Sequence, residues 1–192
     1  RYSSFAISNY PNITKVTIAD LNEANAKEFS NHFDDRFTGI GLDVTDKEHL
    51  EKVMSGHDIV LNTTGPFFKF GLPILKSAIK CKCHYFDICD DWEPTEEMLK
   101  LNDEALKNEI TAIVGLGASP GISNLLGLKA MNELDKTESI ITGWDVSSAK
   151  PEDESSQKGT NAAMEHGLQQ ISGEIKVYKN KKYKLTKPLG KI

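Results

Sequence analysis

Thr63-Thr64-Gly65-Pro66-Phe67 follows directly on the aliphatic run Ile59-Val60-Leu61-Asn62. A buried parallel strand looks like this where it reaches the carboxyl edge of its sheet, and open α/β sheets bind ligands at that edge. Gly65 lets a ligand approach the backbone, Pro66 fixes the turn, and Phe67 offers an aromatic face. A second segment of the same kind runs from Gly115-Leu116-Gly117 through Ala118-Ser119-Pro120-Gly121 to Ile122-Ser123-Asn124, after the aliphatic run Thr111-Ala112-Ile113-Val114. Ser119, Ser123 and Asn124 can bind polar groups there, and the helix start can receive a carboxylate. Its glycines fit G-x-G-x-x-G only loosely, because the third stands one residue too far along.

Two acids stand at other strand ends. Asp20 closes the β-branched run Lys15-Val16-Thr17-Ile18-Ala19. An acid in that place hydrogen-bonds the ribose hydroxyls of a bound dinucleotide and repels a 2′-phosphate. Leu21 and Asn22 follow it rather than an arginine, so NAD is expected first and NADP is the alternative; helix capping is the competing role for Asp20. Asp43-Val44 ends the next strand, where an apolar side chain can pack on an adenine ring and a carboxylate can accept from its amino group, again with capping as the competing role. His84 and His166 are candidate proton carriers, although a lone histidine is more often structural. Cys81, Cys83, Cys89 and His84 lack the C-x-x-C pair of zinc sites, and an alternating strand would point them to opposite faces, so no metal site is expected. The residues alone single out no catalytic acid or base.

The elements that must position these residues follow from periodicity. Strands are expected at 15–20, 37–42, 58–62, 84–88 and 111–114. Helices are expected over residues 1–9, after a cap at Asn22, after Thr45 or Asp46, from about Leu72 to Lys80 with Pro73 in the first turn, from Thr95, and from Ser123 to Leu134. This short-spaced alternation argues for a parallel sheet with right-handed crossovers. Beyond Lys136 the pattern changes to a strand at 140–146, a charged loop at 150–157, a helix from Thr160 or Asn161 to about Ile171, and a hairpin flanking 179–182. The expected class is α/β: a doubly wound Rossmann-type parallel sheet with its first strand missing, then part of an α+β second domain. Residues 1–136 form an N-terminally truncated dinucleotide-binding domain and 137–192 a partial substrate or catalytic domain.

The 192 residues are 39% hydrophobic and 27% charged with a formal net charge of −5, which fits a soluble globular protein. No basic run points to nucleic acid or an anionic membrane surface, and no apolar stretch approaches the roughly 20 residues that span a bilayer. The odd number of cysteines suits a reducing, cytoplasmic setting.

Several segments in order carry a family resemblance: Val16-Thr17-Ile18-Ala19-Asp20-Leu21-Asn22, Leu42-Asp43-Val44-Thr45-Asp46, Leu61-Asn62-Thr63-Thr64-Gly65-Pro66-Phe67, His84-Tyr85-Phe86-Asp87, and Ala118-Ser119-Pro120-Gly121-Ile122-Ser123-Asn124. Together they resemble the saccharopine dehydrogenase family over about residues 13–135. The resemblance implies a nicotinamide-dependent oxidoreductase acting on a carbon–nitrogen bond of an amino-acid adduct, in which hydride leaves the carbon beside the amine and the imine is hydrolysed, or the reverse. It implies a small amino-acid-derived substrate and a homodimer when full length. Asp20, Leu21, Asp43, Val44, Thr63, Thr64, Gly65 and Pro66 then fall on the cofactor side. Phe67, Asp87, Ser119, Pro120, Gly121 and Asn124 fall on the substrate side. Two other readings compete. One is a non-catalytic nucleotide-binding relative. The other is an epimerase or short-chain dehydrogenase, which needs a Tyr-x-x-x-Lys pair on a helix; Tyr178 and Lys182 have the spacing but sit in the expected hairpin.

The family's glycine motif belongs before the helix at residues 1–9, and the sequence is therefore read as a fragment of a longer enzyme. Without that motif no helix start receives the pyrophosphate. The 192-residue chain is expected to bind NAD weakly or not at all by calorimetry; low-micromolar affinity would contradict this.

Overall fold

The computed structural model describes residues 2–141, 167–168 and 172–188. The elements in order are α1 (Tyr2–Ser8), β1 (Val16–Asp20), α2 (Glu23–Ser30), β2 (Phe37–Gly41), α3 (Lys47–Met54), β3 (Ile59–Asn62) and α4 (Phe67–Lys80). Then follow β4 (His84–Asp87), α5 (Trp92–Leu99), α6 (Asn102–Lys107), β5 (Ala112–Ile113), α7 (Ile122–Asn132), β6 (Ile175–Lys179) and β7 (Lys182–Thr186). β1 pairs parallel with β2, with Val16 opposite Phe37 and Asp20 opposite Gly41. β3, β4 and β5 form a second parallel sheet in which Asn62 stands opposite Asp87. Helices connect every parallel pair, as parallel pairing requires, and the result is an α/β Rossmann-like fold. The expected single sheet is thus seen as two. Among the described residues no strand pairing joins β1 to β3. These two strands are tied near their starts, where the Thr17 hydroxyl lies 2.8 Å from His57 Nε2. His57 Nδ1 lies 2.9 Å from the Val53 carbonyl, which can only accept, so the neutral ring carries its proton on Nδ1 and Nε2 accepts from Thr17.

The apolar stripe of α4 fills the core. Phe67, Gly71, Ile74, Leu75, Ala78 and Ile79 recur at helical spacing and are all buried. Most of them join Leu50 and Met54 of α3, Tyr85 of β4 and Met98 of α5 in one cluster. α4 starts at Phe67, earlier than the expected Leu72, and Pro73 sits inside it. The proline removes the donor that would pair with the Lys69 carbonyl, but Pro73 lies on the exposed face, where water can take up that carbonyl. α5 likewise starts at Trp92 rather than Thr95; Pro94 occupies its first turn, and the Thr95 hydroxyl donates back to the Asp91 carbonyl at 2.7 Å. The caps at Asn22 and Asp46 are formed: Asn22 accepts from the amides of Ala24 and Asn25, and Asp46 from that of His49.

A phenylalanine cluster joins α1 and α2 to β2. Phe5 meets Phe29 and Phe33, and Phe33 stacks on Phe37 with centroids 4.5 Å apart. Arg36 staples the loop ahead of β1, donating to the carbonyls of Ser8, Tyr10 and Ile13 while pairing with Asp34. The guanidinium holds the Asp34 carboxyl below the usual carboxylate range. This occupies the arginine fully in structure.

The hairpin β6–β7 forms at the expected place, with Asn180 and Lys181 at φ 54° and 60° in its turn. Tyr178 and Lys182 lie on its two strands, not on a helix. Lys176 bridges the hairpin to α5: its Nζ lies 4.6 Å from the ring centroids of both Trp92 and Tyr183, and it pairs with Glu96. Ile140 and Ile141 are not in a strand, and the rest of the expected strand to 146, the loop at 150–157, His166 and most of the expected helix at 160–171 lie outside the described residues. Among the described residues no helix is long and apolar enough to cross a membrane.

Gly39 marks the closest approach of α2 to β2, since a Cβ there would lie 2.3 Å from the Ala26 backbone carbonyl. Gly39→Ala is expected to lower stability by about 1–3 kcal/mol, read as a lower urea midpoint at unchanged slope. An unchanged midpoint would contradict the close packing.

Candidate functional site

A cavity of about 460 Å³ runs between β1 and β3, from Thr17, His57 and Ile59 near their starts to the carboxyl ends of β1 and β3 and the turn after β2. Asp20 and Leu21 line it from β1, Asp43 and Val44 from β2, and Thr63, Thr64 and Gly65 from the turn after β3. Val53, Leu50 and Ile74 close it with apolar side chains. Seven of the eight residues assigned to the cofactor side therefore line one cavity; Pro66 does not. Pro66 is buried as the N-cap residue of α4, with φ −76°, and its role is to set the turn. The Gly65–Pro66 and Ser119–Pro120 peptide bonds are both cis.

The two strand-end acids are exposed and locally tied. One Asp20 oxygen accepts from the Asn22 amide at 2.8 Å. One Asp43 oxygen accepts from the Thr45 hydroxyl at 2.7 Å and the Thr45 amide at 2.8 Å. These bonds, the hydroxyl's first, hold the Asp43 carboxyl below the usual range, so it is ionised at neutral pH. The helix cap is Asp46, which leaves Asp43 as a turn-former at the cavity rim. Beside the cavity, a shallow depression over the start of α2 is lined by Asp20, Leu21, Asn22, Glu23, Ala24 and Lys27. Lys27 and Glu23 pair there at 2.5 Å, both well exposed.

The substrate-side residues do not line that cavity. Asp87, expected on the substrate side, is fully buried in this chain. One of its oxygens accepts from the amides of Cys89 at 3.0 Å and Gly115 at 2.8 Å, and the other from the Tyr85 hydroxyl at 2.8 Å. Its carbonyl accepts from the Leu116 amide. Tyr85 Oη in turn accepts from Asn62 Nδ2 at 2.9 Å, and Asn62 Oδ1 accepts from the Thr64 amide at 2.9 Å. Burial first, and then the Asp87 charge, push the Tyr85 hydroxyl far above its ordinary range, so it stays protonated and donates. The sequence signal for this cluster is two polar residues at alternate positions of β4, Tyr85 and Asp87, with Asn62 opposite Asp87 on the neighbouring strand.

Phe67 is also buried. Its ring is buried in the core, and the next residue, Phe68, is the exposed one. In the second loop, Ser119 and Asn124 are exposed, and Pro120 and Gly121 are half-buried. Gly121 has φ 116°, and a Cβ there would lie 2.2 Å from the Gly117 carbonyl, so the turn itself demands this glycine. The Asn124 side-chain oxygen accepts from the Gly121 amide at 3.2 Å and so closes the start of α7. Burial pushes the Cys81 and Cys83 thiols up and the Cys89 thiol up to about 11, so all three are uncharged at neutral pH. His84 Nδ1 accepts from the Thr111 amide at 2.9 Å, a link between β4 and the start of β5.

A family model described as "Saccharopine dehydrogenase NADP binding domain" matches residues 6–113. The chain belongs to this family. Among its relatives, a saccharopine dehydrogenase [NADP(+), L-glutamate-forming] of Schizosaccharomyces pombe is 27% identical over 129 residues, covering 67% of this chain and 27% of the relative. The protein of the same name from Saccharomyces cerevisiae is 30% identical over 121 residues, covering 63% and 26%. In structure, the chain is similar to apo histidine-tagged saccharopine dehydrogenase (L-Glu forming) from Saccharomyces cerevisiae, with TM-score 0.58 and 28% identity over 67% of this chain and 27% of that one. The chain spans about a quarter of the length of these relatives.

The two phenylalanines separate core from surface. Phe67→Ala is expected to cost about 3–5 kcal/mol in denaturant unfolding, and Phe68→Ala within about 0.5 kcal/mol. Equal effects would contradict the assignment.

Proposed function

We propose that this chain is the dinucleotide-binding part of an NADP-dependent oxidoreductase acting on a carbon–nitrogen bond of a saccharopine-like amino-acid adduct. The observation that carries the reading is that Asp20, Leu21, Asp43, Val44 and the Thr63–Gly65 turn stand together at the carboxyl end of one cavity in a family member. The residues fit a nicotinamide dinucleotide. The exposed Asp20 carboxylate suits ribose hydroxyls, and Leu21 and Val44 suit the faces of an adenine ring. The turn at 63–65 lies on the β3 side of the cavity and would hold the rest of the cofactor toward the substrate. Bound nicotinamide gives or takes a hydride at the carbon beside the substrate nitrogen. This chain's part is to bind, orient and exclude water; His57 lines the cavity near the starts of β1 and β3, with its Nδ1 tied to the Val53 carbonyl.

The NADP binding domain of the family and its NADP(+)-dependent relatives favour NADP over the NAD expected from Asp20. The depression beside Asp20 supplies a physical reason. Lys27 lines it and can turn from the exposed Glu23 toward a 2′-phosphate, while one Asp20 oxygen is already committed to the Asn22 amide.

The test uses the full-length protein with saccharopine and each nicotinamide cofactor, followed by NADPH or NADH absorbance. A saccharopine-dependent change, larger with NADP, is expected. Lys27→Ala should raise KM for NADP by about tenfold and leave that for NAD near its starting value. No saccharopine-dependent change with either cofactor would overturn the proposal.

A further inference from the structure

Asp87 is fully buried and unused by the chemistry proposed above. We propose that it is a positioning residue: with Tyr85 and Asn62 it sets the polarity of one hydrogen-bond relay that holds the 63–65 turn and the 115–116 turn in a common register.

Every hop in the relay has a fixed direction. The Gly115 and Cys89 amides can only donate, so one Asp87 oxygen must accept from both. The other oxygen accepts from Tyr85, which commits the only hydroxyl proton there. Tyr85 Oη is then left as an acceptor toward Asn62, which forces the Asn62 amide to present Nδ2 to it. That choice leaves Asn62 Oδ1 facing the Thr64 amide, which can only donate. The carboxylate at position 87 and the Thr64 amide thus require the same orientation of the Asn62 side-chain amide, two residues before the cavity-lining Thr64. Asn62, Tyr85, Asp87, Cys89 and Gly115 are buried and Thr64 is half-buried, so water is a poor substitute for a lost hop.

The relay predicts an unusual pattern of substitutions. In Asp87→Asn, the new amide must keep its oxygen on Gly115 and Cys89 and turn its NH2 toward Tyr85. Tyr85 Oη then faces two donors, and its own proton has no acceptor. Asn62 can rescue that proton only by flipping, which would turn Nδ2 against the Thr64 amide. In Asn62→Asp, two acids flank one hydroxyl that can donate to only one of them. The double variant Asn62→Asp/Asp87→Asn is self-consistent in the opposite sense. Thr64 donates to one oxygen of the new carboxylate at position 62, and Tyr85 donates to the other. The new amide at position 87 donates its NH2 to Tyr85 and keeps its oxygen on Gly115 and Cys89. The total charge is unchanged.

Residue-resolved amide hydrogen exchange on the 192-residue chain reads this directly. Asp87→Asn and Tyr85→Phe are each expected to speed exchange at Thr64 by at least about tenfold, and Asn62→Asp/Asp87→Asn to return it to within about threefold of the parent. Should a single variant fail to fold, recovery of folding in the double variant reads the same coupling. Unchanged Thr64 exchange in Tyr85→Phe, or a double variant no better than Asp87→Asn, would overturn the relay. In the full-length protein, the consequence for ligand binding rests on the proposed function: KM for NADP should rise in Asp87→Asn and recover in the double variant. Recovery of exchange without any cofactor binding would sink the proposed function and leave the relay standing.

Discussion

A buried carboxylate without enough donors is among the costliest groups a fold can hold, and Asp87 sits at the centre of this one. It is tolerated because two amides and a hydroxyl converge on it and a third amide caps its carbonyl. Those donors come from three places along the chain: Tyr85 on β4, Cys89 after it, and Gly115 and Leu116 after β5. Satisfying one charge therefore draws the ends of neighbouring strands together, and Asn62 extends the same constraint to β3. The carboxyl edge of the β3–β4–β5 sheet is shaped by this requirement as much as by the apolar packing of α4 against it.

That edge also explains a division of labour between the two loops. The 63–65 turn faces the cavity shared with β1 and β2, whereas the 115–124 loop does not reach it. The second loop is largely occupied with its own closure. Gly117 accepts from Ile122 and donates to Pro120, Gly121 requires its left-handed backbone, and Asn124 caps the helix that follows. Its exposed Ser119 remains able to meet a ligand from another side of the edge, which suits a chain that spans only 27% of a relative's length.

The parts of this arrangement that are legible in the sequence are those set locally. β-branched and aliphatic runs mark the strands, and Asn22 and Asp46 announce helix starts because capping depends on a few adjacent atoms. The acids Asp20 and Asp43 are legible because each ends a recognisable strand. The burial of Phe67 is not legible because Pro66 can end a loop or open a helix, and only packing decides which; here it opens α4 and turns the ring inward. The burial of Asp87 is not legible for a related reason. An acid at a strand end reads as a ligand unless its burial is known, and burial is a property of the assembled sheet. The order NAD before NADP rests on Asp20 and on Leu21 and Asn22 standing where an arginine could follow it, without the depression that brings Lys27 beside it.

The central claim is that a dinucleotide binds at the carboxyl end of the cavity between β1 and β3, at an edge held in shape by Asp87. Hydrogen–deuterium exchange mass spectrometry on the full-length protein, with and without NADPH, tests it most directly. Cofactor-dependent protection should appear in peptides covering 19–22, 43–45 and 62–65, with little change over 119–124. Protection confined to other segments, with these three unchanged at saturating NADPH, would contradict the account.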